Sequence, residues 1–154
     1  MSMKLYLLGL LLCVSSFSFA QDKWFSKYAD MDEVTTVYIS KKMFQMMPTM
    51  EHIGLELANM QGKIDGLQIL STERKELQAQ MRKEFSGMIG KEYEELMRVK
   101  DKGTKANFYI RQQGELIKEL IMLADTEENF SVIQLKGNFT LQDIQEITNE
   151  ASRR

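Results

Sequence analysis

The sequence predicts an α+β domain: a largely antiparallel sheet closing in a four-strand meander, with helices packed on one face. Three observations predict it. Four β-rich runs follow one another between residues 93 and 136, separated only by short turn signals. One strongly amphipathic stretch, 73–89, stands just before them. Upstream of that stretch, helical and alternating patterns interleave, without the regular βα repeat that a parallel sheet requires.

Taken in order, residues 21–31 predict a short helix with Trp24, Phe25 and Tyr28 on one face. Residues 33–39 alternate and are rich in β-branched side chains, which predicts a strand. Ser40 is placed to cap a short helix over 41–47, which Pro48 ends because it lacks an amide donor. Thr49 is placed to cap a second helix carrying Met50, Ile53, Leu57 and Met60, and Gly62 breaks the chain after it. Residues 64–70 predict a second strand, with Asp65-Gly66 near its start. In the helix over 73–89, Leu77, Met81, Phe85, Met88 and Ile89 form the apolar stripe, and Gly90 stands where a helix ends.

The meander begins with a strand over 93–100. Asp101-Lys102-Gly103-Thr104 has turn chemistry and leads into a strand over 105–112, with Ala106, Phe108 and Ile110 on one face. Gln113-Gly114-Glu115 turns the chain into 116–125, the most apolar strand and therefore a central one. Residues 126–129 turn it again into a strand over 130–136, which Gly137-Asn138 is expected to leave. Thr140 with Asp143 three residues on predicts a capping box for a last helix. Leu141, Ile144 and Ile147 are its expected buried stripe.

Four of these stretches, in this order, resemble a known family. They are Val34-Thr35-Thr36-Val37-Tyr38-Ile39-Ser40-Lys41-Lys42-Met43-Phe44, Ile64-Asp65-Gly66-Leu67-Gln68-Ile69-Leu70, Tyr93-Glu94-Glu95-Leu96-Met97-Arg98-Val99-Lys100 and Leu135-Lys136-Gly137-Asn138-Phe139-Thr140-Leu141. The succession is similar to the exported domain of unknown function DUF4252, common in the Gram-negative Bacteroidetes. The resemblance implies a secreted or envelope-associated single domain, often of lipoprotein form. It supplies no catalytic residues.

Residues 1–20 themselves read as a signal peptide. Lys4 gives the positive start, Leu5 to Val14 an apolar run too short to span a bilayer, and Ser18-Phe19-Ala20 the small residues of a cleavage site. Cys13 lies inside the apolar run behind Leu12, so the lipoprotein form is not expected. The expected mature chain is one domain, 21–154, in the periplasm or cell envelope, with no integral membrane segment.

Composition narrows the chemistry. The chain of 154 residues carries 20 Lys+Arg against 22 Asp+Glu, one Cys, one His, one Pro and 12 Met. Near-neutral charge gives no electrostatic footprint for nucleic acid. Cleavage at Ala20 removes the only Cys, and with it any thiol nucleophile or internal disulfide. A Ser-His-Asp triad could use only His52, and no Gly-x-Ser-x-Gly elbow is present. Gly87-Met88-Ile89-Gly90-Lys91 is too short for a phosphate-binding loop and falls at a helix end. Glu94/Glu95, Glu127/Glu128 and Asp30/Asp32/Glu33 are candidate carboxylate pairs for a hydrolase, though solvated surface accounts for each. Asn129-Phe130-Ser131 and Asn138-Phe139-Thr140 match the glycosylation sequon; in a bacterial exported protein, capping by Thr140 explains the second better.

One segment stands out. Met43, Met46, Met47 and Met50 crowd beside His52 and around Pro48. Thioethers suit Cu(I), and a Met-rich surface re-shapes readily around a partner. Core packing, the ordinary use of Met, is the expected role. The functional expectation is a non-enzymatic envelope domain, needing no cofactor, that binds a protein or peptide through a sheet edge or through this segment. A Cu(I) or small-ligand binder is the alternative, and a carboxylate-based hydrolase a third.

Overall fold

The computed structural model describes residues 20–46 and 62–152, with side chains over 25–46 and 62–146. Its elements are α1 (Ala20–Ala29), β1 (Thr35–Ser40), α2 (Lys41–Met46), β2 (Ile64–Thr72), α3 (Lys75–Met88), β3 (Glu94–Asp101), β4 (Thr104–Gln113), β5 (Leu116–Asp125), β6 (Phe130–Phe139) and α4 (Leu141–Ser152). The strands form one six-stranded antiparallel sheet in the order β1-β2-β6-β5-β4-β3. The α+β class and the C-terminal meander are as expected. The helix expected to follow Thr49 and the side chain of Trp24 lie outside the described residues.

The helices do not share one face. On β5, Leu120 joins a core with Leu67, Leu135, Phe44 of α2 and Ile144 of α4. Its neighbour Ile121 joins another with Leu70, Val132, Phe25 and Tyr28 of α1, and Met81 and Phe85 of α3. Successive strand residues point to opposite faces, so the two cores lie on opposite sides of the sheet. The physical reason is legible in Leu120-Ile121-Met122-Leu123-Ala124. A strand apolar at consecutive positions has to be covered on both sides. Burying a side chain such as Phe85 stabilises the fold by roughly 1.5–3 kcal/mol, and Phe25 adds an edge-on aromatic contact to it at 5.2 Å between ring centres.

The turns follow their residue chemistry. Lys102 and Gly103 both have positive φ, 45° and 84°, and the register pairs Asp101 with Thr104 around them. This is the primed two-residue turn whose twist matches the flanking strands. Gly114, at φ 65°, serves the next hairpin. Ser40 Oγ accepts the Met43 amide at 3.3 Å and caps α2. At α4 the capping box is complete: Thr140 Oγ1 accepts the Asp143 amide at 3.2 Å, and Asp143 Oδ2 accepts the Thr140 amide at 2.9 Å.

Two expectations are corrected. Gly137-Asn138 does not leave β6; the strand runs on to Phe139. Gly137 is needed there because the Lys63 carbonyl oxygen lies 2.1 Å from where a Cβ would sit, and that carbonyl accepts the Asn138 amide at 2.9 Å. Gly90 stands just past the end of α3, as expected, though not in the left-handed conformation; the helix ends on an Ile89 amide bond to the Phe85 carbonyl. In α4, Ile144 is buried but Leu141 is 56% exposed, and the side chain of Ile147 lies outside the described residues.

Candidate functional site

The central strands carry a polar line across the face covered by α1 and α3. Glu119 of β5 is fully buried and receives three donors. Tyr93 Oη donates to Oε2 at 2.8 Å, Arg111 Nε to Oε2 at 3.2 Å, and Gln134 Nε2 to Oε1 at 2.6 Å. A bulge between Ile117 and Glu119 sets this alternation, turning Ile117 to the opposite core. Burial, followed by the charge of Glu119, pushes the Tyr93 phenol well above its usual range.

The line continues towards β1. Gln134 is in register with Gln68 of β2, and Gln68 with Tyr38 of β1. Over these residues lies an open cavity of about 320 Å³, lined by Tyr38, Gln68, Gln134, Lys136, Asp65 and, from α1, Phe25. The Tyr38 ring leans over Gly66, within 4.0 Å of where a side chain there would begin. Asp65, on the cavity rim, is ion-paired to Lys41 at 3.5 Å.

The two edges of the sheet differ. β3 carries Glu94, Glu95, Arg98, Lys100 and Asp101, and bulges between Glu95 and Met97. Charge and irregularity of this kind discourage pairing with another strand. β1, Thr-Thr-Val-Tyr-Ile-Ser, has no charge, and pairs with β2 through six uninterrupted positions. Val37 is 41% and Tyr38 66% exposed.

The Met-rich segment begins beside this edge. Met43 and Met46 of α2 are 47% and 70% exposed, so neither belongs to the core; Phe44 between them does. Met47, Met50 and His52 lie outside the described residues. Glu94, Glu95, Glu127, Glu128, Asp30, Asp32 and Glu33 are all exposed. Among the described residues the buried acids are Glu119 and Asp143, and each has donors of its own, Asp143 taking Lys63 Nζ at 3.0 Å through both oxygens. Among the described residues, no group of three or more His, Cys, Asp and Glu could hold a metal ion, and no helix is long and apolar enough to cross a membrane.

Sequence reasoning missed the Glu119 cluster and the cavity. A signal for the first was present: a Glu inside the most apolar strand needs buried donors. The hairpin joining β4 to β5 sets Arg111 opposite Glu119, whereas the approach of Tyr93 and Gln134 depends on registers and bulges that the sequence does not show.

A family model described as a domain of unknown function (DUF4252) matches residues 28–147. No curated protein and no solved structure matches. The matched span starts within α1, ends within α4, and takes in the whole six-stranded sheet and most of both cores. On a match that covers most of its length, the chain belongs to the DUF4252 family.

Proposed function

We propose that this domain is exported to the cell envelope and acts there without catalysis, binding an extended segment of a protein or peptide along β1. The observation that carries this reading is the contrast between the two sheet edges. β3 is guarded by charge and a bulge, whereas β1 offers an uncharged, regular, exposed strand. An added strand would bond main chain to main chain, and side chains such as Val37 and Tyr38 would select the sequence. The signal-peptide pattern of residues 1–20 supports export. The reading requires no cofactor and no nucleic acid.

The test is to pan random peptides against the exported protein. Enrichment of β-prone peptides, with binding lost in Val37→Lys, is expected. Failure to enrich, or binding indifferent to Val37→Lys, defeats the reading. Fractionation with N-terminal sequencing is expected to give a periplasmic chain starting at Gln21; an intact cytosolic Met1 defeats the export half.

A second reading, Cu(I) binding by the segment of Met43, Met46, Met47, Met50 and His52, is favoured by the exposure of Met43 and Met46 one helical turn apart. Anaerobic Cu(I) titration is expected to saturate near stoichiometry, and to weaken in the Met43→Leu, Met46→Leu double variant. No saturation removes it.

A further inference from the structure

A second site, which shares Tyr38 with the β1 edge but otherwise draws on β2, β6 and α1, lies in the cavity beneath that residue. We infer that this cavity binds a small neutral, hydroxyl-rich ring such as a sugar, held by the Gln68 and Gln134 amides between Phe25 and Tyr38.

The size fits first. A volume of about 320 Å³ stands at the lower end of the range for small-molecule sites, about 300–1,000 Å³. That suits a ligand of ring size and excludes a folded partner. From Gly66 onwards β2 pairs with β6 without a break, so recognition over Gln68 and Gln134 falls to side chains.

The chemistry of those side chains then selects the ligand. Asp65 and Lys136 both line the cavity, and Lys41 stands 3.5 Å from the Asp65 carboxylate, so a charged ligand of either sign would meet like charge as well as opposite. A neutral ligand meets neither cost. Gln68 carries a donor and an acceptor at one amide, and Gln134, whose Nε2 already donates to Glu119, keeps its Oε1 and second N–H, which matches a hydroxyl group, itself both donor and acceptor. The exposed Tyr38 ring supplies apolar surface for the C–H face of a saturated ring, buried Phe25 closes the cavity from α1, and the Tyr38 phenol adds one more polar contact.

Gln134 is also the most tightly fixed of these groups. It is 3% exposed, and its Nε2 donates to buried Glu119 at 2.6 Å, so its amide orientation is set before any ligand arrives. A rigid polar group at the floor of a cavity reduces the ordering that binding demands. Nothing in packing alone asks for a buried Glu–Gln pair at the centre of an apolar face.

The experiment is a titration of the full ¹⁵N-labelled protein with D-glucose, D-galactose, N-acetyl-D-glucosamine and their disaccharides, following backbone amide shifts. Saturable shifts confined to Gly66, Gln68, Gln134 and their neighbours are expected with at least one sugar. Gly66→Val should abolish them while leaving the fold intact. The nearest atom to a Cβ there is 3.7 Å away and φ is not left-handed, so the side chain fills the cavity without backbone strain. Gln68→Ala and Tyr38→Ala, at partly buried and exposed positions, should each weaken binding about tenfold, the scale of one lost polar contact. Three results overturn the proposal: no saturable shift with any sugar, shifts undiminished in folded Gly66→Val, or saturation by a dipeptide or inorganic phosphate instead.

Discussion

The Tyr93 hydroxyl donates to the Glu119 carboxylate at 2.8 Å between two buried side chains, and so ties the start of β3 to the middle of β5. Glu119 is held by three donors from three different strands or their ends. Removing the acceptor strands all three donors, whereas removing one donor leaves the carboxylate two. Glu119→Ala is expected to cost about 3–5 kcal/mol, and Tyr93→Phe about 1.5–3 kcal/mol. Urea unfolding of both variants checks the order; a Tyr93→Phe loss equal to that of Glu119→Ala would contradict it.

Gly137 and Gly62 are expected to fail for different reasons. A Cβ at Gly137 meets the Lys63 carbonyl at 2.1 Å and the Phe139 ring at 2.5 Å. Neither backbone nor packed ring can withdraw, so Gly137→Ala should cost at least about 3 kcal/mol. Gly62 has open space around it but a φ of 92°, so Gly62→Ala should cost only about 1–2 kcal/mol. Thermal melts of the two variants separate steric from conformational cost.

The hairpin after β3 offers a gain. Lys102 holds a left-handed conformation at φ 45°, which Asn tolerates better than Lys. Lys102→Asn should raise stability by roughly 0.5 kcal/mol, read as a higher urea midpoint at unchanged slope. A lower midpoint would count against the turn assignment.

Acid should loosen both faces. Burial alone would raise the Asp143 carboxyl, but the Thr140 amide and Lys63 outweigh it and hold it below the usual Asp range. Burial likewise opposes the lowering of Glu84, which the Tyr28 hydroxyl and Lys27 impose. Both groups bind protons more weakly folded than unfolded. Their contribution is therefore complete above the unfolded values, about 3.9 and 4.3, and is lost as pH falls through the folded ones. Melting temperature should drop from about pH 5 downwards, and less steeply in Asp143→Asn and Glu84→Gln. An unchanged slope in both variants would refute this.

Legibility in the sequence followed the range of the interactions. The hairpins at Lys102-Gly103 and Gly114, the Ser40 cap and the Thr140/Asp143 capping box depend on residues a few positions apart, and each formed where its chemistry predicted. The helix stripe Leu77, Met81, Phe85 was equally local. What escaped depends on strands distant in sequence. Gly137 resembles a strand terminator until Lys63 is known to lie against it. The exposed sulfurs of Met43 and Met46 look like core until Phe44 is seen to be the one residue of that turn facing inward. The cavity needs β1, β2, β6 and α1 together, and no single stretch announces it.

The pairing of β2 with β6 also fixes an order of assembly. β3 to β6 join through consecutive hairpins, each closing a short loop, and can zip as the chain emerges. β2 must wait for β6, because Thr72 meets Phe130 only after the whole meander has been made, and long closures form late. β1 is attached to the sheet through β2 alone. β1 is thus expected to be the last piece of sheet to form and the first to open. Its amides should exchange with solvent well ahead of those of β5, and a chain lacking β6 should leave it unformed.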